Sequence, residues 1–386
     1  MKILVNAIPM TGLLTGIARH LRNLYSAIDL VSPMGQARVC YFTGKTATDN
    51  MPSLTDSKRW QTMSRSVRHL PDSLVFGLRA ARWLKYEYSL NKVCKKKPSS
   101  FSIYHETAFT PAKQTGLPTV FSVYDLSLRR YRETHPKERV MLFEYFIKKR
   151  LDYANHILTS SEFVKQEVIE EFCLAPSMVT AIPLAPDPLF SPSKDNLVER
   201  VKRKYDLPRS YLLFVSSLEP RKNIDLLIEA MTIAHTDIPL VLVGWQGWGE
   251  KRWLEKIDNN NLKSRIHILG HVPDHDLKAI YTGAQALVYP SLYEGFGLPI
   301  LEAMACRCPV ICSEAASMPE VTGDAAILID PARSDELAQA IETIVHDTQT
   351  RADLVKKGEV QAASFSWTNT ASQTLDLFKR VQNDYC

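Results

Sequence analysis

The chain has 386 residues, 45% hydrophobic and 23% charged, with a formal net charge of +5. That length suits two ordinary domains rather than one, and no apolar run approaches the roughly 20 residues of a membrane helix. Seven cysteines, odd in number and irregularly spaced, exclude a disulfide framework and point to a reducing, cytoplasmic compartment, and residues 1–6 enter a strand pattern directly, without a signal peptide's long apolar core or cleavage site.

The charge is uneven. Residues 1–200 carry 28 Lys and Arg against 18 Asp and Glu, a balance of +10, and the remainder carries 19 against 24, a balance of −5. Basic residues gather at Lys58, Arg59, Arg65 and Arg68, at Arg79, Arg82 and Lys85, and at Lys95, Lys96 and Lys97, with Trp60, Phe76, Trp83 and Tyr86 among them. A basic face interleaved with aromatics suits an anionic membrane surface, with the protein peripheral on its inner side. A solvated face explains the charge equally well. No recognised nucleic-acid module is present, which argues against a nucleic-acid partner.

Short apolar runs alternate with helical stretches along the whole chain. The strand-like runs are 2–8, 39–43, 102–105, 119–124, 156–160 and 179–184 in the first half, and 211–216, 240–243, 266–269, 286–289, 310–313 and 327–329 in the second. Apolar runs of this length between helices indicate parallel strands covered on both faces. The expected fold is α/β, with two Rossmann-like doubly wound domains facing a central cleft and ligands at the carboxyl ends of the strands.

After the first run comes a loop with Gly12 and Gly16 leading into a helix. It is not G-x-G-x-x-G, and no acidic residue stands where a dinucleotide fold needs one. Residues 44–100 are irregular, polar and basic, with a helical stretch over 76–90. Two strand ends are polar: Tyr104, His105 and Glu106 close one, and Tyr124 and Asp125 the next. A carboxylate at such an end needs a partner. Residues 138–152 read as a helix, and Ser160, Ser161 and Glu162 start another whose Val164, Val168, Ile169 and Phe172 share a face. The Pro-rich stretch 181–188 marks a domain boundary, giving domains 1–186 and 187–365 and a final helix within 366–386.

In the second domain Arg221 and Lys222 stand side by side at a strand–helix junction, a pair able to neutralise a diphosphate. Trp245 and Trp248, in a glycine-rich loop, close over a ligand or cap the core. Cys306, Cys308 and Cys312 lack a fourth ligand at a recognised spacing and read as small buried residues rather than a metal site. The most informative stretch is 290–302, after the apolar run 286–289: Glu294, a turn with Gly295, Phe296 and Gly297, then Leu298 and Pro299 opening a helix that carries Glu302. Proline suits a helix start, the N–H groups there seat a phosphate, and the glycines let a bound group approach. A βα turn with two solvated carboxylates would read the same.

This stretch resembles the E-x7-E signature of the retaining GT-B glycosyltransferases, the large family that includes bacterial O-antigen and exopolysaccharide mannosyltransferases, and the resemblance extends over nearly the whole chain. It implies transfer of a hexose, with mannose from GDP-mannose favoured, to a glycan or polyprenyl-linked oligosaccharide in lipopolysaccharide synthesis. It implies no cofactor and no metal, the cations supplying the charge. On the family's pattern Glu294 faces the transferred sugar and Glu302 the ribose. Gly16, Arg221, Lys222, Val272, Phe296, Gly297 and Leu298 bind the donor, and Asp125, His105 and Tyr124 belong with the catalytic groups. Two positions depart from the pattern. Tyr124 stands where the family has histidine, which makes His105 a candidate substitute, and Ser217 stands where it has arginine, which transfers that role to Arg221. The final helix, through Arg380, is expected to cross back onto the first domain. A sugar-nucleotide epimerase and a non-catalytic two-lobed binding protein are the competing readings.

Overall fold

The structure, a computed structural model, describes residues 1–12, 15–32, 36–54, 71–96, 100–113, 116–245, 247 and 250–385. Lys58, Arg59, Trp60, Arg65, Arg68, Lys97 and Trp248 lie outside the described residues. The chain divides into two compact units, Met1–Leu184 with Trp367–Cys386, and Ala185–Ser366.

In the first unit the strands are β1 (Lys2–Asn6), β2 (Arg38–Phe42), β3 (Ala47–Thr48), β4 (Ile103–Glu106), β5 (Thr119–Val123), β6 (His156–Thr159) and β7 (Val179–Ala181). They form one sheet in the order β3-β2-β1-β4-β5-β6-β7, parallel except for the β2–β3 pair. Every residue of β4 and β5 is buried, as a strand covered on both faces requires. The two-residue β3, too short to show a period, was not expected. It follows a turn at Gly44, whose φ of +95° suits glycine.

In the second unit β8 (Leu212–Val215), β9 (Leu240–Val243), β10 (Ile266–Gly270), β11 (Ala286–Tyr289), β12 (Val310–Ser313) and β13 (Ile327–Ile329) form a fully parallel sheet in the order β10-β9-β8-β11-β12-β13. Its core packs Leu212, Phe214, Leu227, Leu242, Val288 and Ile341 with almost no exposed surface. In each sheet the strand order reverses once, between β1 and β4 and between β8 and β11. Neighbouring connections leave in opposite directions at such a point, so the loops part and open a crevice at the strands' carboxyl ends.

The last helix, Trp367–Tyr385, belongs to the first unit. Thr370 donates to the Pro183 carbonyl (2.8 Å), Trp367 packs on His20, and Phe378 sits edge-on to His105. The helical stretch expected over 76–90 runs from Asp72 to Lys96. Two of the aromatics set among its basic residues turn inward. Tyr86 is buried, stacked on Trp83 and hydrogen-bonded to Tyr104 (2.8 Å), and Trp83 packs against the core. Leu74, Leu78, Leu84 and Tyr88 are exposed on that helix, as are Arg82, Lys85 and Lys92.

Candidate active site

The second unit's reversal point gathers the charged residues. After β8 the chain makes a short 3-10 turn, Pro220–Lys222, which ends at Asn223 in the left-handed region (φ 59°) and starts the helix Ile224–Ile233. After β11 the loop 290–297 follows. The two loops are pinned together: Leu292 N–H donates to the Arg221 carbonyl (2.9 Å), and Arg221 Nη1 donates to the Tyr293 carbonyl (2.5 Å). Glu294 lies between the cations. Its Oε1 accepts from Lys222 Nζ (2.5 Å) and from the Tyr289 hydroxyl (2.8 Å), and its Oε2 lies 3.4 Å from Arg221 Nη1. Glu219 Oε1 takes Arg221 Nη2 at 3.1 Å. All four charged residues are buried, none more than 8% exposed.

Burial alone would raise the Glu294 carboxyl, but Lys222 and Arg221 outweigh it and hold the carboxyl down at about 2. Burial and the neighbouring Arg221 press Lys222 below its usual range, against the pull of Glu294 and Glu219. The site is therefore a paired cluster in which each charge depends on its neighbours. Glu219 and Tyr289 were not singled out in the sequence. Their signals were weak: a carboxylate two residues before an arginine, and a tyrosine at a strand's last position.

The turn itself follows the expected lines. Gly297 has φ +98° and caps the helix Leu298–Ala305, with Pro299 in its first turn and no side-chain cap. A Cβ at Gly297 would stand 3.1 Å from Ile300 Cδ1. The loop is held from behind by Ser317 Oγ, which donates to the Glu294 carbonyl (2.9 Å). Phe296 is buried edge-on to Phe365, and Leu298 is half-buried. Glu302 is buried one helix turn on and accepts from the Tyr281 hydroxyl at 3.3 Å. At the ends of β9 and β10, Trp245 and His271 stack with ring centroids 4.3 Å apart. Val272, which follows, is buried.

In the first unit Gly16 begins the helix Gly16–Val31, capped by Thr15 Oγ1 accepting from Ala18 N–H. Gly16 is exposed and no atom lies within 4 Å of where its Cβ would be, so packing does not demand glycine there. His105 corrects the expectation of a catalytic substitute. It has no exposed surface, one ring nitrogen is bonded to the Tyr25 hydroxyl and the other to Ser122 Oγ (2.7 Å). Burial and the nearby His20 hold its pKa down at about 3, so it is a neutral core residue with no free nitrogen for chemistry. Tyr124 is half-buried, its ring 5.7 Å from that of His20, and burial keeps its hydroxyl protonated. Asp125 accepts from Ser127 N–H (2.8 Å) at the start of the turn 127–130. Beside them, at the reversal between β1 and β4, Glu106, placed at a strand end by the sequence but given no role there, is buried and accepts from Asn6 (2.5 Å), Tyr104 (2.7 Å) and Ala108 N–H (2.9 Å). Among the described residues no group of three or more His, Cys, Asp or Glu is placed to hold a metal ion, and Cys306, Cys308 and Cys312 are free and buried.

Comparison with known proteins decides the family. The profile described as "Glycosyl transferases group 1" matches residues 197–361. From end to end the chain is similar to the O-antigen chain mannosyltransferase B of Escherichia coli, 32% identical over 389 residues that cover 98% of this chain and 100% of that protein. The chain belongs to the group 1 glycosyltransferases.

Solved structures agree on the fold. Sucrose-phosphate synthase of Thermosynechococcus elongatus superposes with a TM-score of 0.74 at 20% identity, covering 98% of both chains. The Anabaena protein HepE, crystallised with UDP and glucose, gives 0.70 at 18% identity over 98% of this chain and 100% of that one. The glycosyltransferase is thus an enzyme with two Rossmann-like units of the GT-B type. Its fold brings Glu294, Lys222, Arg221, Gly297 and Glu302 to one end of one sheet.

Proposed function

We propose that this glycosyltransferase is a retaining mannosyltransferase that moves mannose from GDP-mannose to a glycan or polyprenyl-linked oligosaccharide in the assembly of a lipopolysaccharide O-antigen. The end-to-end similarity to the E. coli O-antigen chain mannosyltransferase B carries this reading. The cluster at the β8–β11 reversal supports it with a chemical setting. Arg221 and Lys222, next to the uncapped start of the Leu298–Ala305 helix, suit a diphosphate leaving group, since cations and backbone N–H groups both favour negative charge there.

In the proposed reaction the bond between the sugar's anomeric carbon and the phosphate oxygen breaks, and its electron pair stays on the diphosphate. The sugar passes through an oxocarbenium-like state. The acceptor hydroxyl attacks from the face that the phosphate leaves, and its proton goes to the departing phosphate oxygen. Glu294 faces the sugar, where a carboxylate gains interaction as positive charge grows. Glu302 holds the ribose. No metal is required, because Arg221 and Lys222 provide the charge that a metal would otherwise provide.

The finer setting is the inner surface of the membrane. Among the described residues no helix is long and apolar enough to cross one. The Asp72–Lys96 helix exposes Leu74, Leu78, Leu84 and Tyr88 as well as Arg82, Lys85 and Lys92, a pattern that suits shallow docking on anionic lipid.

The test is transfer to a mannose-terminated, polyprenyl-diphosphate-linked oligosaccharide with GDP-mannose, GDP-fucose, UDP-glucose and UDP-galactose offered in turn. Product from GDP-mannose with an α linkage, read by NMR, is expected. Transfer from a UDP-hexose alone reassigns the donor, and a β-linked product ends the assignment of retention.

A further inference from the structure

Glu219, Arg221, Lys222 and Glu294 form a set of four buried charges, two negative against two positive. A set balanced in this way has no positive charge left over for a ligand. Two further negative charges from a diphosphate would stand against cations whose attraction is already taken up by carboxylates, and buried charge without compensation is strongly unfavourable. One carboxylate therefore has to leave the cations when phosphate arrives.

The geometry points to Glu294. Glu219 sits two residues from Arg221 in the same loop, and its 3.1 Å contact is tethered by that short span of chain. Glu294 comes from a separate loop. It lies against both cations, so its carboxylate occupies the space between Lys222 Nζ and Arg221 Nη1 that a phosphate would need. It also begins the glycine turn that ends at Gly297 and the helix start.

We infer that Glu294 is an internal stand-in for the donor's phosphate. In the empty site it is the counter-ion of Lys222 and Arg221. An arriving phosphate takes that place and releases the carboxylate toward the sugar hydroxyls, while Glu219 stays on Arg221. The exchange makes Glu294 available to the sugar when the phosphate is in position. This inference rests on the donor-binding role proposed above for the cluster.

The stand-in competes with phosphate, so weakening it tightens phosphate binding while damaging transfer. Calorimetry on the full chain with inorganic pyrophosphate, and separately with GDP, reads the first effect, and steady-state transfer from GDP-mannose reads the second. Glu294→Gln keeps the shape and removes the charge. It is expected to bind both ligands about tenfold more tightly and to transfer at least about a hundredfold more slowly. Tyr289→Phe removes the hydroxyl that holds Glu294 Oε1 and keeps the ring packing. It should tighten pyrophosphate binding by about threefold, and it stands in if the first variant fails to fold. A merely structural role moves binding and turnover down together. Unchanged or weaker pyrophosphate affinity in a folded variant overturns the exchange. Failure of the unaltered protein to bind either ligand instead overturns the functional reading on which it rests.

Discussion

Lys222 Nζ lies 2.5 Å from Glu294 Oε1 across 72 residues of sequence. The pair exists because β8 and β11 are neighbours at the point where the sheet order reverses, so the loops that follow them meet. Removing one partner of such a pair leaves a buried charge uncompensated. Lys222→Ala is therefore expected to lose about 3–5 kcal/mol of stability as well as roughly 2–4 kcal/mol of transition-state stabilisation. The double variant Lys222→Met with Glu294→Gln removes both charges and should recover most of the stability and none of the activity. Urea unfolding beside kcat/KM separates the two effects. A double variant as unstable as the single one contradicts the pairing.

Glu302 should fail differently from Glu294. It is buried in the helix beyond the turn, with Tyr281 on its carboxylate, and in the proposed role it holds hydroxyls that do not change during reaction. Glu302→Gln should raise the KM for donor and weaken free GDP by similar factors while kcat falls less. A variant that loses kcat and keeps its GDP affinity would remove Glu302 from the ribose.

Gly297 has φ +98°, and its Cβ position is 3.1 Å from Ile300 Cδ1. Gly297→Ala is expected to cost about 1–2 kcal/mol from the left-handed backbone, with further loss of activity because the shift reaches the helix start. Melting temperature and GDP affinity check it. An alanine variant as stable as the parent would show that the turn can relax.

Acid should weaken the first unit before the second. Burial holds His20 and His105 down at about 3 and His156 at about 4. Lowered histidine pKa values mean that the unfolded chain takes up protons below its own value of 6.5 that the folded chain refuses, so stability is lost as pH falls from 6.5. Glu106, raised to about 7 by burial, works the opposite way: its contribution is present below 4.5 and lost as pH rises to about 7. Three histidines against one carboxyl leave a net loss of about 2–3 kcal/mol per pH unit between 6.5 and 4.5. Glu294, held at about 2, contributes stability above 4.5 and loses it only below that. Hydrogen exchange by mass spectrometry should show first-unit peptides opening as pH moves from 7 to 5 while those around β8 and β11 stay protected. Equal opening in both units would show that the buried histidines do not set the acid limit.

The exposed face of the Asp72–Lys96 helix should bind vesicles containing anionic lipid, and binding should weaken as salt rises. Leu78→Asp with Lys85→Glu removes an exposed apolar and an exposed basic group and should abolish co-sedimentation while leaving transfer to a short water-soluble acceptor intact. Co-sedimentation indifferent to both salt and substitution would leave that face as solvated surface.

Patterns that act over a few residues were legible in the sequence. A strand covered on both faces must be apolar throughout, and the runs at 240–243, 286–289, 310–313 and 327–329 coincide with β9, β11, β12 and β13. A left-handed turn into a helix needs glycine and tolerates proline just after it, as at Gly297 and Pro299. A helix start at Ser160-Ser161 was legible, and Ser161 is the residue that caps it, through Val164 N–H. What distant neighbours impose was decided by the tertiary structure. Glu294 lies against Lys222, His105 has both nitrogens taken by Tyr25 and Ser122, and Tyr86 faces inward beside Tyr104 instead of outward among the lysines. Each of these follows from which elements the sheet order and helix packing make adjacent. The local period of a segment records how much of it is covered but carries no record of which residue, tens of positions away, does the covering.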